Sequence, residues 1–401
     1  MWNVAKGLRV PAMILFGKPQ LRLTPIAYIG CLLSIVGLLF SINAGAQSPG
    51  TFIPDGRLPS PRRSSASALL PGNTLLAMGG VDSARRLTSI VAYNSNLKAF
   101  ATLGNANAPY DTLTVLNDGK VLLAGSGNFI SSGPNSSVRT TAQLFDPSSR
   151  TFTSTGPLLA GISSAVAVRL ADGRVLLLGG RVYNQAAAPT ATAEIYNPVS
   201  GTFTFTGSMT TPRYNHTATL LRNGDVLVAG GTSSSATGTP LSSAELYDSV
   251  TASFVPIGGM TTAHANHTAT LLADGRVLIV GGSNRPSAAK SSVTSVAEIY
   301  DPMTAAFSAT GAMLTPREFH TATRLANGDV LIAGGDDTLN VLASTEIYDP
   351  ISGSFSTAAK MAVPREHFIA ALLSDGDVLV AGGLTNFTEG ANSATAELFI
   401  P

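Results

Sequence analysis

Seven turn glycines, Gly72, Gly119, Gly173, Gly224, Gly275, Gly328 and Gly376, recur at intervals of 47 to 54 residues, each inside the same local pattern. This period predicts an all-β fold, a seven-bladed β-propeller of four-stranded units, one unit per repeat. Composition agrees. The chain of 401 residues contains 40 Gly and is only 12% charged, which suits strands and turns better than surface helices. The chain ends agree as well. The last unit stops at Glu397-Leu398-Phe399-Ile400-Pro401, after its third strand. The missing strand stands at the other end, where Gly50-Thr51-Phe52 before Arg62 matches Gly201-Thr202-Phe203 before Arg213 at equal separation. The N-terminal strand is therefore expected to complete the last blade and close the ring, which removes exposed sheet edges.

Each unit divides into four strands, a to d. Strand a is the alternating Thr/Ala/Leu run before the turn glycine, as in Thr217-Ala218-Thr219-Leu220. Asn223-Gly224, Asp274-Gly275 and Asp375-Gly376 read as two-residue hairpin turns, in which both residues tolerate positive φ. Strand b is an unbroken apolar run such as Val175-Leu176-Leu177-Leu178, the pattern of a strand buried on both faces. It ends in a Gly-Gly pair, which permits close approach of neighbouring backbone. Unit 2 departs from this, since Gly125 is followed by Ser126. Strand c is the Glu-Ile-Tyr segment, and the Asp-Pro after it starts a tight turn. Strand d carries Phe152, Phe203, Phe254, Phe307 or Phe355.

The Gly-Gly pair, the strand c Tyr and the later aromatic, over residues 50 to 401, resemble the kelch repeats of bacterial propellers and of the central domain of galactose oxidase. The later aromatic is Phe here where kelch repeats usually carry Trp. The resemblance implies four-stranded kelch blades, with ligands or partners held at the funnel formed by the b–c loops and d–a connections. It also bears on cofactors. Copper-radical oxidases of this architecture need a Cys joined covalently to a Tyr, and the one Cys here is Cys31, near the N-terminus.

That N-terminal region has the pattern of an export signal. Lys6, Arg9, Lys18 and Arg22 stand without an acidic residue, an apolar run follows from about Pro25 to Ile42, and Ala44-Gly45-Ala46 precedes Gln47. The expected organisation is a cleaved leader over 1–46 and the propeller over 47–401. An uncleaved membrane anchor is the alternative, because the run is nearly long enough to span a bilayer. Only on that alternative is a membrane a partner. Cleavage removes those four of the 25 basic residues and leaves 21 against 24 acidic ones, with no Cys. No disulfide or thiolate remains, and no positive field selects nucleic acid. Export without cysteines points to a secreted, periplasmic or envelope protein of a bacterium.

The a–b and c–d turns are short, whereas the b–c loops vary in length and sequence. The working face is therefore expected at the b–c loops and d–a connections, where loop residues escape the repeat. Candidate ligand contacts are Arg62, Arg213, Arg317 and Arg365 at the mouth of strand a, with Tyr110, Asp111, Tyr214 and Phe319 beside them. A guanidinium fork reads carboxylates. The alternative role of these arginines is a structural pair with the repeated Glu194, Glu245, Glu298, Glu346 or Glu397. His216, His267 and His320 share one register and are the only candidate metal ligands, with His264 and His367 nearby. Their repetition argues for a role in every unit instead, so no metal or other cofactor is expected. Arg139, Asp111, Arg181, Arg285, Lys290, Asp336, Asp337 and Glu389 break the repeat, and their convergence would mark a site. The expected function is non-catalytic binding of a protein or glycan at this face. The alternative is an epimerase, lyase or oxidase-like enzyme acting on a sugar or acidic metabolite through funnel His and Arg.

Overall fold

A computed structural model of the chain describes residues 49–83, 85–125, 140–182, 188–234, 238–284, 293–388 and 390–401. These belong to a compact unit spanning Pro49–Pro401. The leader, Cys31, Phe129, Arg139, Tyr183, Arg285, Lys290 and Glu389 lie outside the described residues. All regular structure among the described residues is β.

Seven four-stranded antiparallel sheets follow one another along the chain. In unit 4 the strands are Thr217–Leu220, Val226–Ala229, Ala244–Asp248 and Ser253–Ile257, paired in that order. Units 1, 2, 3, 5 and 6 repeat this order. The seventh sheet takes its fourth strand from the N-terminal end, where Thr51–Arg57 pairs antiparallel with Thr395–Ile400. Strand a of each unit packs against strand a of the next, and Ile369–Leu372 of unit 7 packs against Ala66–Leu70 of unit 1.

The core lies between sheets. The strand b residues are fully buried in every unit, as in Val226–Ala229 and Val277–Val280. The strand c tyrosine joins the cluster that includes strand b of the preceding unit, so Tyr247 packs with Leu176 and Leu178. It also meets its own strand d, with the Tyr247 and Phe254 rings 4.8 Å apart, an offset geometry aromatic pairs favour.

The a–b turns differ from the expected two-residue form. Leu221 donates its N–H to Asp225 over 2.8 Å, so the loop has three residues, Arg222-Asn223-Gly224. Only the glycine is left-handed, at φ +93°, which is the form in which a type I turn ends in a glycine bulge. The other departure is in the b–c loops. Arg181–Val182 pairs with Ile162–Ser163 and Ala188–Pro189 as a separate three-stranded sheet, and single bridges such as Tyr214 to Thr232 and Glu318 to Asp336 take its place elsewhere.

The Gly-Gly pair has a measurable steric reason. A Cβ on Gly230 would stand 2.3 Å from the His264 carbonyl oxygen and 2.8 Å from His267 Cε1, at φ +62°. A Cβ on Gly224 would meet nothing within 4 Å, at φ +93°. Gly224→Ala should therefore cost only the left-handed strain, about 1–2 kcal/mol. Gly230→Ala should cost that and a further ~1–3 kcal/mol of overpacking, which equilibrium denaturation of the two variants measures.

Candidate functional site

The mouth of strand a is built by a buried clasp. In unit 4, Glu245 accepts the backbone N–H groups of Thr210 and Thr211 at 2.7 and 3.2 Å. Arg213 binds the same carboxylate at 2.8 Å and also donates to the carbonyls of Gly230 and Ser243. Arg317 with Glu346 and Arg365 with Glu397 repeat this at 2.8 and 2.9 Å. In unit 5, His264 replaces the arginine against Glu298. In unit 1, Arg62 has no acidic clasp and donates to Ser60, Ser89 and the Gly79 carbonyl. Gln143 in unit 2 accepts one N–H, from Asn107.

The arginines proposed from sequence as ligand contacts are therefore not available to a ligand. Arg213, Arg317 and Arg365 are 0% exposed and Arg62 is 2% exposed. Burial lowers their pKa, in Arg62 to about 10, although that value still leaves the guanidinium charged at neutral pH. The structural pairing with the repeated Glu is what the fold uses.

His216, His267 and His320 also serve the repeat. Their rings lie under the first glycine of the preceding unit's Gly-Gly pair, where a Cβ would come within 2.5, 2.8 and 2.9 Å of the ring carbons. Phe368 holds the same place beneath Gly334, so the position needs a flat ring and not a ligand atom. His267 and His320 bond Thr217 and Thr268 of the preceding units, each at 2.9 Å. Burial holds His216 and His320 down to about 3 and His267 well below the usual imidazole range. Among the described residues no three His, Cys, Asp or Glu gather as metal ligands.

The position just after the clasp is different. Ser64, Ser164, Asn215, Asn266, Phe319 and His367 all have φ between 51° and 54°. Left-handed backbone in bulky residues such as Phe and His is strained, and such strain persists only where the surroundings over-determine it. Here five of the six are linked in series, and Ser164 instead donates its N–H to Asp111. Ser64 donates its N–H to His367, His367 to Phe319, Phe319 to Asn266 and Asn266 to Asn215, at 2.8 to 3.3 Å. The result is an arc of backbone around the mouth.

This arc borders a cavity of about 720 Å³. Tyr110, Asp111, Tyr214 and Phe319, singled out from sequence, all line it, and so does Arg181. Sequence reasoning missed Arg63, Arg86 and Glu366, and named His367 only beside the histidine register. The missed signal was positional. Arg63 and Glu366 directly follow Arg62 and Arg365 of the repeat, and that next residue faces the cavity while the repeated one turns inward. Asp336 stands against Glu366 behind the wall, whereas Asp337 caps its own loop through the N–H groups of Leu339 and Asn340.

The charges differ around the mouth. Arg86 pairs with Asp111 at 3.1 Å, and Asp111 also accepts the Ser164 N–H at 2.9 Å. Arg181 lies over the Tyr214 ring, its guanidinium carbon 3.7 Å from the centroid, a cation–π contact. Phe319 stacks on His367 at 3.9 Å between centroids. Burial, then the hydrogen bond to Asp336, push the Glu366 carboxyl up to about 8, with Arg63 opposing. Glu318, held by Asn266 at 2.7 Å, is raised to about 7, chiefly by burial. Burial and then the charge of Arg63 hold His367 down to about 4. At neutral pH the cavity thus contains a protonated carboxyl next to a neutral imidazole.

No protein family description matches the chain, and no curated protein matches it. Among solved structures it is similar to a fungal alcohol oxidase of the AA5 family, solved in complex with copper, at 19% identity and a TM-score of 0.70. The match covers 88% of this chain and 77% of that one. The shared property is an all-β, galactose-oxidase-like fold.

Two expectations follow. Arg317→Met, which leaves Glu346 buried without its partner, should cost about 3–5 kcal/mol in denaturant unfolding, yet leave the cavity's binding unchanged below the transition. The raised Glu366 pKa favours folding below the ordinary carboxylate range, and that contribution is lost as the pH rises through about 8. His216 and His320, held to about 3, act with the opposite sign, and their contribution is lost as the pH falls from 6.5 toward that value. Glu366→Gln should therefore flatten the alkaline fall in melting temperature and leave the acid fall in place.

Proposed function

We propose that the seven sheets are the blades of a closed, seven-bladed propeller of the kelch type. The succession of strand a contacts from unit 1 round to unit 7 and back supports this, as does the N-terminal strand on the seventh sheet. We further propose that the chain is an exported bacterial enzyme acting by proton transfer on a sugar or an acidic metabolite of sugar size in its funnel. The observation that carries this reading is Glu366, a carboxyl that keeps its proton near neutral pH, next to neutral His367 on the wall of one cavity. Two titratable groups whose pKa values are pushed apart are the equipment of paired acid and base catalysis.

The reaction class is epimerisation or elimination. His367 takes a proton from carbon, and Glu366 gives one to the opposite face in epimerisation or to the departing oxygen in elimination. In the second case the C–H and C–O bonds break, a C=C bond forms, and the proton from carbon stays on His367. Copper oxidation of the kind named for the fungal oxidase is not carried over. Tyr214 is covered by Arg181, the Tyr110 hydroxyl is bonded to Asn107, and His367 is stacked on Phe319. That donor set does not hold copper.

A second reading keeps the cavity without chemistry. Leu339 and Phe387, in b–c loops of the sixth and seventh units, are 78% and 53% exposed and suit contact with a glycan or protein larger than the cavity. Nuclear magnetic resonance of a panel of neutral and acidic sugars with the protein in D2O tests both. The enzyme reading expects deuterium uptake or new epimer or alkene signals, lost in Glu366→Gln. Binding without exchange supports the second reading, and neither binding nor exchange overturns both.

A further inference from the structure

Three arginines border the cavity, and their surroundings give them three different roles. Arg86 is already neutralised by Asp111 at 3.1 Å, and Asp111 is in turn anchored by the Ser164 N–H. The charge of Arg63 falls on the acid–base pair, where it opposes protonation of both Glu366 and His367. Arg181 has no acidic partner among the described residues. Its Nε is buried without a hydrogen-bond partner, and its guanidinium rests on Tyr214.

Arg181 also sits on paired backbone. It is the residue after Gly179-Gly180, the position at which the other units have Val81, Thr232, Ser283, Asp336 or Leu384. Its strand pairs over two residues with each of Ile162–Ser163 and Ala188–Pro189, where the corresponding residues of units 4 to 7 make one bridge on each side. A cation with a flat fork, a rigid backbone and an aromatic support, opening to a cavity, matches bidentate recognition of a carboxylate.

We propose that Arg181 is the specificity-determining residue of the funnel and that the ligand is a sugar acid whose carboxylate it holds. This rests on the closed ring and funnel site proposed above. In that ring, units 3 and 4 stand across the mouth from unit 7. The ligand then spans the funnel, with its carboxylate on Arg181 above Tyr214 and its far hydroxyls toward Glu366 and His367. A carboxylate in that place offers the guanidinium its missing partner. It also keeps the ligand's negative charge away from the buried carboxyls of Glu318, Asp336 and Glu366.

Calorimetric titration of the purified chain with D-glucuronate and D-galacturonate, against D-glucose and D-galactose, tests this. A charged hydrogen-bonded pair discriminates by about 1.5–3 kcal/mol, so the uronates should bind about ten- to a hundredfold more tightly than the neutral sugars. Arg181→Met, which keeps the side chain's stem over Tyr214, should abolish the preference by weakening uronate binding about ten- to a hundredfold. Should that variant fail to fold, Arg181→Lys keeps the charge without the fork and should lose most of the preference. Equal binding of acidic and neutral sugars by the unaltered chain overturns the role of Arg181 but leaves the funnel site standing. A preference that survives both substitutions does the same. Binding of no sugar at all overturns the inference together with the reading on which it rests.

Discussion

The architecture depends on one buried interaction, the carboxylate of strand c that holds the chain as it crosses from one sheet to the next. Glu194, Glu245, Glu298, Glu346 and Glu397 each accept two successive backbone N–H groups of the incoming connection. These N–H groups would otherwise be buried without partners, at a cost comparable to a lost hydrogen bond. The carboxylate is itself removed from water, and three of the five have an arginine against it. Where none is present, as at Glu194, burial raises the carboxyl's pKa despite its two amide donors. Burying ion pairs adds little net stability in general, but breaking one is costly, and here it fixes where the crossing lies.

That placement explains the backbone that borders the cavity. Two residues beyond the held arginine the backbone is left-handed, a feature repeated at Ser64, Asn215, Phe319 and His367. The strain is supported by N–H to carbonyl links between neighbouring units and by the flat rings beneath the Gly-Gly pairs. Rigidity at the mouth follows, and it suits a site whose groups must be held in one geometry. The residues that alternate with the clasp face the cavity, so a repeating scaffold presents a non-repeating surface.

The charges of that surface depend on burial. Carboxyls on the sixth and seventh units are pushed up, and the imidazole beside them is pushed down, by the same exclusion of water. On the third unit the Arg181 guanidinium rests on the Tyr214 ring. The cavity wall thus combines a carboxyl of raised pKa with arginines, although the chain as a whole is close to neutral at +1.

The repeat determined by itself the all-β class, the four strands of each unit and the transfer of the N-terminal strand to the last sheet. These follow from local periodicity, from turn glycines and from the match of the chain ends. It also placed Tyr110, Asp111, Arg181, Tyr214 and Phe319 near the mouth, because variable or aromatic positions beside strand a could be read along the line of the sequence. Tertiary structure alone decided which of two adjacent arginines, Arg62 or Arg63, turns into the scaffold and which meets the cavity. It likewise decided that Glu366 meets Asp336 from another unit. Those outcomes depend on how neighbouring sheets approach one another and on the water they exclude, which a linear pattern does not record.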